Sequence, residues 1–246
     1  MKFYPTLLIL IVTLTMSCKT NEKKSENEST LENDFPAQLT AEQKAEGWKL
    51  LFDGKTLNGW RFFKNNENNS WEVKDGMLHC KPFEQADKRA DIITTEEFKD
   101  FELSFDWMIA AQGNSGVMFR VTEEYDQPYF TGPEYQLLDD GGYPGEVKEV
   151  NFTGGNYDMY APVNKKLNPV GEWNSSRIIA RGKHIEHWLN GDKVVEYEIG
   201  SDDWKKRKEE SKWKDVVGYS MPESGHIDLQ DHTHEIWFKN IIIKTL

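Results

Sequence analysis

Side chains that can move protons or bind hydroxyl groups recur at alternate positions of several short apolar runs. In the predicted strand Glu134–Leu138, Glu134 and Gln136 share one face, and Tyr135 and Leu137 share the other. A face that merely contacts solvent would be richer in Lys and Glu. The mixture of Arg, Gln, His, Asp and Trp at such positions instead favours hydrogen bonding and stacking with a hydroxyl-rich ligand.

Three of these residues are candidates for catalysis. Glu134 could act as a general base or acid, with Gln136 bonding the ligand's hydroxyl groups. The alternative for this pair is a polar, solvent-facing position on an edge strand. Arg120 could clamp a carbonyl or carboxylate group with its rigid set of donors, or form a structural ion pair. His232 could transfer a proton near neutral pH, and Gln230 shares its polar face.

Further candidates for ligand binding have a plain structural alternative. Asp139 precedes Asp140-Gly141-Gly142, where acids more often form turns. Trp188 could stack on a sugar, whereas His187 shares a face with aliphatic residues and is typical of a core histidine. Since either face of that strand could be the open one, both stay candidates. Tyr160 lies in the long loop region 132–162, where we expect specificity to vary.

Several familiar catalytic patterns are missing from the sequence. It has no G-x-S-x-G nucleophile motif and no Gly-rich phosphate loop. It also has no strand with alternating acids that would set a retaining pair of carboxylates about 5 Å apart. His232 and His234 have the H-x-H spacing of some metal sites, but a third ligand is not close in sequence. No cofactor is expected, and the question of a metal stays open.

The elements that must position these residues are mostly strands. From Trp48 onward, short aromatic and β-branched runs alternate with Gly, Asn and Asp, which is typical of an all-β sandwich. Two hairpin turns are predicted at Asp75-Gly76 and Asn190-Gly191. Short helices are predicted over Ala41–Glu46 and Asp202–Trp213. The predicted strands are Lys49–Phe52, Trp71–Val73, Met77–Cys80, Phe101–Met108, Gly116–Val121, Glu134–Leu138, Arg177–Arg181, His184–Leu189, Lys193–Ile199, Ile227–Gln230 and Ile236–Ile243.

Alternation predicts the faces of two of these strands. Val117, Phe119 and Val121 are expected on one face of their strand, with Met118 and Arg120 on the other. In the later strand, Ile227 and Leu229 are expected to oppose a polar face of His226, Asp228, Gln230 and His232.

The N-terminal segment predicts export. Lys2, the apolar run 7–12 and the small Ser17 are typical of a signal peptide over residues 1–17, and the run is shorter than the roughly 20 residues of a membrane span. Cys18 follows as a predicted lipidation site, which would anchor the protein to the cell envelope, facing the periplasm or the cell surface. Ordinary secretion is the alternative. Residues 18–40 are polar enough to form a flexible tether, and 41–246 would form one domain.

The net charge of −12 argues against nucleic acid or anionic lipid as a partner. The protein is therefore expected to bind the membrane through its N-terminal lipid only. No protein partner is inferred from the sequence.

Eight motifs in order carry a resemblance over residues 47–246. They are LFDGKTLNGW (51–60), WEVKDGML (71–78), NSGVMFR (114–120), PEYQLLDD (133–140), GEWN (171–174), HWLNGDKVVEYE (187–198), GHIDLQDH (225–232) and FKNIIIK (238–244). The sequence resembles the 3-keto-disaccharide hydrolase domain family, also described as 3-keto-glucoside 1,2-lyase/2-hydroxy-glucal hydratase domains. Lys239 stands where the family usually has Arg.

The resemblance implies a concanavalin A-like jelly roll and an elimination that needs no carboxylate pair. A ketone at C3 acidifies the C2 proton, so that a base can remove it and expel the substituent at C1 before water adds. On this basis Glu134 or His232 would be base and acid, Arg120 would stabilise the oxyanion, and Gln136, Gln230 and Trp188 would bind the sugar. A carbohydrate-binding module without activity and a conventional glycoside hydrolase are the alternatives.

Overall fold

The computed structural model describes residues 1–2 and 38–246. The predicted signal peptide beyond residue 2, Cys18 and the tether up to residue 37 lie outside the described residues. Among the residues described, none of the helices combines the length and the apolar character that a membrane crossing requires.

Short strands are the main regular secondary structure of the described chain. The strands are β1 Lys49–Leu50, β2 Trp60–Phe62, β3 Trp71–Lys74, β4 Met77–Cys80, β5 Ile92–Thr94, β6 Phe101–Ile109, β7 Asn114–Val121, β8 Glu134–Leu138, β9 Asn174–Arg181, β10 His184–Leu189, β11 Asp192–Glu198, β12 His226–Leu229 and β13 Ile236–Thr245. The α-helices are α1 Ala41–Ala45, which Thr40 caps, and α2 Asp202–Glu210, which Ser201 caps.

Two antiparallel sheets form the described domain. The eight-stranded sheet has the order β11-β10-β9-β6-β13-β4-β3, with β1 also paired to β13, and the five-stranded sheet has the order β2-β5-β12-β7-β8. Their inner faces enclose one aromatic core, in which Phe105 of one sheet meets Tyr135 of the other edge-to-face at 5.8 Å. This confirms the predicted all-β sandwich.

Both predicted hairpin turns are present. Asp75-Gly76 and Asn190-Gly191 have positive φ at both residues, as a tight two-residue hairpin requires. β2 and β5 were not predicted, because each is only three residues long and all of β5 is buried, so that it lacks polar alternation.

The outer face of the five-stranded sheet carries the polar residues of three adjacent strands. Met118 of β7 lies opposite Asp228 of β12 on one side and Glu134 of β8 on the other. Residues directly opposite in a sheet point to the same face, so Asp228 and Glu134 share this surface. Gln136, opposite Gly116 in the next row, also lies there.

The predicted alternation of β7 fails at its end. Arg120 has a φ of 54°, in the left-handed region, and the pairing of β7 with β12 shifts register there. Such a bulge turns the following residue to the opposite face. Val121 consequently packs with Met118 in a small apolar cluster on the outer face, not with Val117 and Phe119 in the core.

Helix α2 ends three residues earlier than predicted. Ser211 is extended (φ −101°, ψ 174°), and the chain then turns back toward the loop before β9. The Lys212 backbone N–H donates to Asp158 Oδ2 at 2.8 Å, and Trp213 Nε1 donates to the Tyr157 carbonyl at 2.9 Å. These two bonds fix the segment after α2 above the outer face of the five-stranded sheet.

Candidate functional site

A cavity of about 440 Å³ opens over the outer face of β7 and β8. Its floor comes from these two strands, and its walls come from the loop after β8 and from Lys212 and His232. The lining residues are Asn114, Gln136, Leu138, Tyr143, Glu146, Val147, Lys148, Asn151, Tyr157, Asp158, Lys212 and His232. The volume lies in the range that takes a small molecule.

Glu134 lies beside the floor of this cavity, two residues before Gln136 on the same face of β8. It is only 5% exposed. A Cβ atom on Gly116 would come within 2.4 Å of Glu134 Oε1, so the carboxyl group occupies the space that this glycine leaves free. Within residues 38–246, nothing donates a hydrogen bond to it. Burial raises its pKa to about 7, and the nearby charge of Lys212 limits that rise.

Two further carboxyl groups belong to the same surface. Asp228 is fully buried, and neither of its oxygens has a hydrogen-bond partner in the described part of the chain. Burial raises the pKa of Asp228, and the charges of Asp91 and Glu134 add to the effect. Burial likewise raises the pKa of Asp91, although this carboxyl accepts a hydrogen bond from the Asp231 backbone at 2.7 Å. Acids so close together do not all ionise near neutral pH.

Lys212 is one of the two lysines that line the cavity, the other being Lys148. Its Nζ lies 3.9 Å from the centre of the Tyr157 ring and 4.3 Å from that of Trp213. The residue as a whole is exposed, yet burial of the ammonium group against these rings lowers its pKa, while the charges of Glu134 and Asp158 oppose that change. A lysine whose pKa is lowered and a carboxyl group whose pKa is raised have the properties of an acid-base pair.

Two amide residues lie on either side of Gly116, the glycine that leaves space for the Glu134 carboxyl group. Gln136 is 1% exposed and donates from Nε2 to Asn114 Oδ1 at 2.9 Å. The Gln230 backbone N–H donates to the Gly116 carbonyl, which places Gln230 on the other side of that glycine. The Oε1 atoms of Gln136 and Gln230 are buried without a hydrogen-bond partner among the described residues. Both can accept a hydrogen bond from a ligand hydroxyl group.

His232 lies at the edge of the cavity, where its ring stacks on His234 at 5.6 Å. Its partial burial lowers its pKa, and the neighbouring His234 and Lys212 act in the same direction. The imidazole is therefore mostly neutral at neutral pH and better suited to accept a proton than to donate one.

Arg120 does not lie in this cavity. Its Nε and Nη2 atoms donate to the Lys99 carbonyl at 3.0 and 2.7 Å, and Nη2 lies 3.4 Å from Asp100 Oδ1. Its left-handed backbone turns the side chain away from the row of Met118 and Glu134. Arg120 therefore lacks the position beside Glu134 that the predicted oxyanion role requires, whereas Lys212 lines the cavity next to it.

Four other predicted ligand-binding residues lie elsewhere. His187 is fully buried between the sheets, where its Nδ1 is 3.0 Å from the Gly154 carbonyl and burial lowers its pKa to about 4. Tyr160 stacks on Tyr197 at 4.7 Å and donates to Asp203. Trp188 lies on the outer face of the eight-stranded sheet, under the guanidinium of Arg177. Asp139 accepts the backbone N–H groups of Gln112 and Gly142, which is its alternative role as a turn residue.

Asp91, Asp228 and Lys212 were not among the predicted site residues. Strand alternation had placed Asp228 on the polar face of β12, which was the available signal. Asp91 precedes a strand that the sequence did not reveal, and Lys212 lay in a predicted helix. Its position depends on the early end of α2.

Among the residues described, one cluster offers three metal-ligating side chains. His184, Glu186 and Glu196 lie on the outer face of the eight-stranded sheet, away from the cavity. Lys193 Nζ is already 2.5 Å from Glu196 and 3.5 Å from Glu186, so an ammonium group balances these acids. His232 and His234 gain no third ligand in the described chain.

Comparison with known proteins gives relatives over nearly the whole length. A 3-keto-disaccharide hydrolase of Bacteroides thetaiotaomicron is 28% identical over 285 aligned positions, which cover 99% of this chain and 98% of that protein. A crystal structure of a provisionally named glycosyl hydrolase from Parabacteroides distasonis is 41% identical, covers 85% of this chain and 98% of its own, and gives a TM-score of 0.79. A second such structure from the same organism is 28% identical, covers 81% of this chain and 99% of its own, and gives a TM-score of 0.60.

A Bacillus subtilis protein with a galectin-like fold is 12% identical, covers 76% of this chain and 90% of its own, and gives a TM-score of 0.50. At that identity the likeness concerns the fold alone, and it agrees with the predicted jelly roll. The sequence profile of the 3-keto-alpha-glucoside-1,2-lyase-like domain matches residues 47–244. The chain therefore belongs to the family of 3-keto-alpha-glucoside-1,2-lyase-like domains.

Proposed function

We propose that this protein is a carbohydrate-active enzyme that cleaves 3-keto-glycosides by elimination and hydration. Membership of the family and the names of its relatives support the broader statement, that the chain acts on carbohydrates. The finer statement depends mainly on one observation. A buried carboxyl group with a pKa of about 7, Glu134, lies near the cationic Lys212 beside a cavity of ligand size.

The first step needs a base and a stabilised oxyanion. Glu134 accepts the C2 proton, and the C2–H electron pair forms an enolate whose negative charge lies on O3. The ammonium group of Lys212 stabilises that oxygen. The enolate then restores the C3 ketone, forms the C1=C2 double bond and breaks the bond from C1 to the leaving oxygen, which takes the proton back from Glu134.

The second step adds water to the same double bond. The hydroxyl group joins C1 and a proton joins C2, which gives a free 3-keto sugar and completes a net hydrolysis. Neutral His232 at the edge of the cavity is suited to take the proton from the attacking water. The free Oε1 atoms of Gln136 and Gln230 would bind sugar hydroxyl groups in both steps.

The test compares a 3-keto disaccharide with its unoxidised counterpart. Incubation with 3-keto-trehalose should release 3-keto-glucose and glucose, whereas trehalose should stay intact, because only the ketone acidifies the C2 proton. The variant E134Q should lose this turnover. Unchanged turnover by E134Q would remove Glu134 from the mechanism, and binding of both sugars without turnover would identify a binding module.

A conventional glycoside hydrolase is the second candidate. Glu146 and Asp158 line the loop side of the cavity, where they could supply a second carboxylate to Glu134. The same assay separates the two functions, because a conventional hydrolase cleaves trehalose itself or another unoxidised glycoside. Cleavage of an unoxidised glycoside that depends on Asp158 and Glu134 would favour this second function.

We further propose that the enzyme is a lipoprotein of the cell envelope, anchored through Cys18. The charged, polar sequence of residues 19–34 supports a tether behind such an anchor. Labelling of expressing cells with radioactive palmitate should mark the wild-type protein and not the Cys18→Ser variant. Equal labelling of both proteins would contradict the anchor and leave the proposed reaction unaffected.

A further inference from the structure

A second cavity, of about 510 Å³, lies at the other end of β7 and shares no lining residue with the first. Arg120 lies in its wall, six residues along the strand from Asn114 of the first cavity, or roughly 20 Å at the rise of a strand. The lining residues are Lys99, Arg120, Gly182, Lys183, Ile199, Gly200, Trp204, Ser220, Met221, Pro222 and Glu223.

Two buried side chains of this cavity each have a hydrogen-bond donor that no protein group uses. Arg120 is 4% exposed, and its Nε and Nη2 atoms are occupied by the Lys99 carbonyl, whereas Nη1 has no partner among the described residues. Trp204 is 5% exposed, and its indole N–H has no partner within residues 38–246. A buried donor without a partner is costly, so the indole N–H of Trp204, in the same cavity wall as the unused Nη1 of Arg120, points to a missing acceptor.

The backbone around this cavity is also strained. Arg120 and Ser220 have φ values of 54° and 58°, a region that residues other than glycine rarely adopt. Such conformations are strained and persist only where the surrounding structure enforces them, and they concentrate at ligand sites.

The cavity is cationic within an acidic protein. Lys99, Lys183 and Arg120 contribute positive charge to its wall. Glu223 lies 2.6 Å from Lys99, and Asp100 lies 3.4 Å from Arg120. Neither acid lies within hydrogen-bond distance of Lys183, so the positive charge of Lys183 has no such partner among them. The opposite wall, with Ile199, Met221 and Pro222, is apolar.

We propose that this second cavity binds a small organic acid that carries an apolar group, with its carboxylate on Arg120 and its apolar group against Ile199, Met221 and Pro222. The planar guanidinium group matches a carboxylate in geometry and charge. Trp204 Nε1 provides one more donor, and Lys183 attracts the anion at the rim. This site is separate from the proposed catalytic cavity and does not depend on the reaction proposed for it.

Titration calorimetry with phenyl β-D-glucuronide and phenyl β-D-glucoside tests this assignment, because the two ligands differ only in the carboxylate. The glucuronide should bind at least about 10-fold more tightly, the usual effect of a hydrogen bond to a charged group. The affinity should fall with added salt. Equal affinity for both glycosides, or no binding of the glucuronide at millimolar concentration, would overturn the proposal.

Matched variants locate the binding. Arg120→Lys keeps the charge and removes the fork, and should weaken glucuronide binding by about 10-fold or more. If this variant does not fold, Lys183→Ala decides, with the exposed Lys205→Ala as its control. Lys183→Ala should weaken binding severalfold, Lys205→Ala and E134Q should not change it, and turnover of 3-keto-trehalose should be unaffected by Lys183→Ala. Glucuronide binding that is lost in E134Q would assign the ligand to the first cavity instead.

Discussion

Glu134 must lose its proton before it can act as a base. Since burial raises its pKa to about 7, kcat/KM for a 3-keto-glycoside should rise as the pH passes through about 7. At higher pH, kcat/KM should fall again as Lys212 loses its proton. This fall should begin below pH 10.5, the ordinary lysine pKa, because burial lowers the pKa of Lys212. E134Q should reduce kcat/KM by about 10²–10⁴-fold and remove the ascending limb. Rates measured from pH 5 to 10 check this, and a limb that persists in E134Q would assign it to another group.

The same carboxyl group should destabilise the folded protein at high pH. In the unfolded chain it ionises near 4.5, whereas in the folded chain it stays protonated up to about 7. The folded state therefore holds a proton that the unfolded state has lost, and stability falls as the pH rises through this window.

E134Q, which carries no titrating group, should thus be more stable than the wild type at pH 8, by about 1–3 kcal/mol, and closer to it at pH 4.5. Urea unfolding at the two pH values measures the difference. Glu210→Gln on the exposed surface is the matched control and should show no such gain. A gain that is equal at both pH values would mean that packing, not ionisation, explains it.

At the scale of the strand, β7 provides the space for the catalytic carboxyl group. An added Cβ at Gly116 would lie 2.4 Å from Glu134 Oε1, so Gly116→Ala must displace that group. We expect at least a roughly 10-fold loss of kcat, because small misplacements of a catalytic group are costly. Gly141→Ala is the control, since a Cβ there meets nothing within 4 Å. An unaltered kcat and pH profile in Gly116→Ala would show that the carboxyl group acts from another position.

The same strand shows how far the sequence predicts the site. Period-two alternation correctly separates the polar surface of Glu134, Gln136 and Asp228 from the core, because burial of one face enforces it. Alternation cannot reveal a single left-handed residue. The bulge at Arg120 depends on tertiary packing, and it moves a guanidinium group from the predicted site to a different cavity. Lys212 was missed for a similar reason, since helical propensity extends α2 beyond the point where the Asp158 contact ends it.

At the scale of the whole domain, one segment joins the two cavities. Residues 211–221 supply Lys212 to the first cavity and Ser220 and Met221 to the second. Between them, Trp213 stacks on Tyr219 with ring centres 4.6 Å apart, and Tyr219 donates to Asn156 Oδ1 at 2.9 Å. This stack fixes both ends of the segment on the rigid sandwich.

A change in the stack should therefore affect both sites, whereas changes at its ends should affect one site each. Trp213→Phe keeps an aromatic ring but removes the hydrogen bond to the Tyr157 carbonyl. We expect it to lower kcat/KM for the keto-glycoside and the affinity for phenyl glucuronide, each by about 3–10-fold, the effect of a typical hydrogen bond. Lys212→Met should lower only kcat/KM for the keto-glycoside, and Trp204→Phe should lower only the affinity for phenyl glucuronide. Steady-state kinetics and calorimetry on the same preparations measure both, and a Trp213→Phe protein impaired at one site alone would show that the segment does not hold the two cavities together.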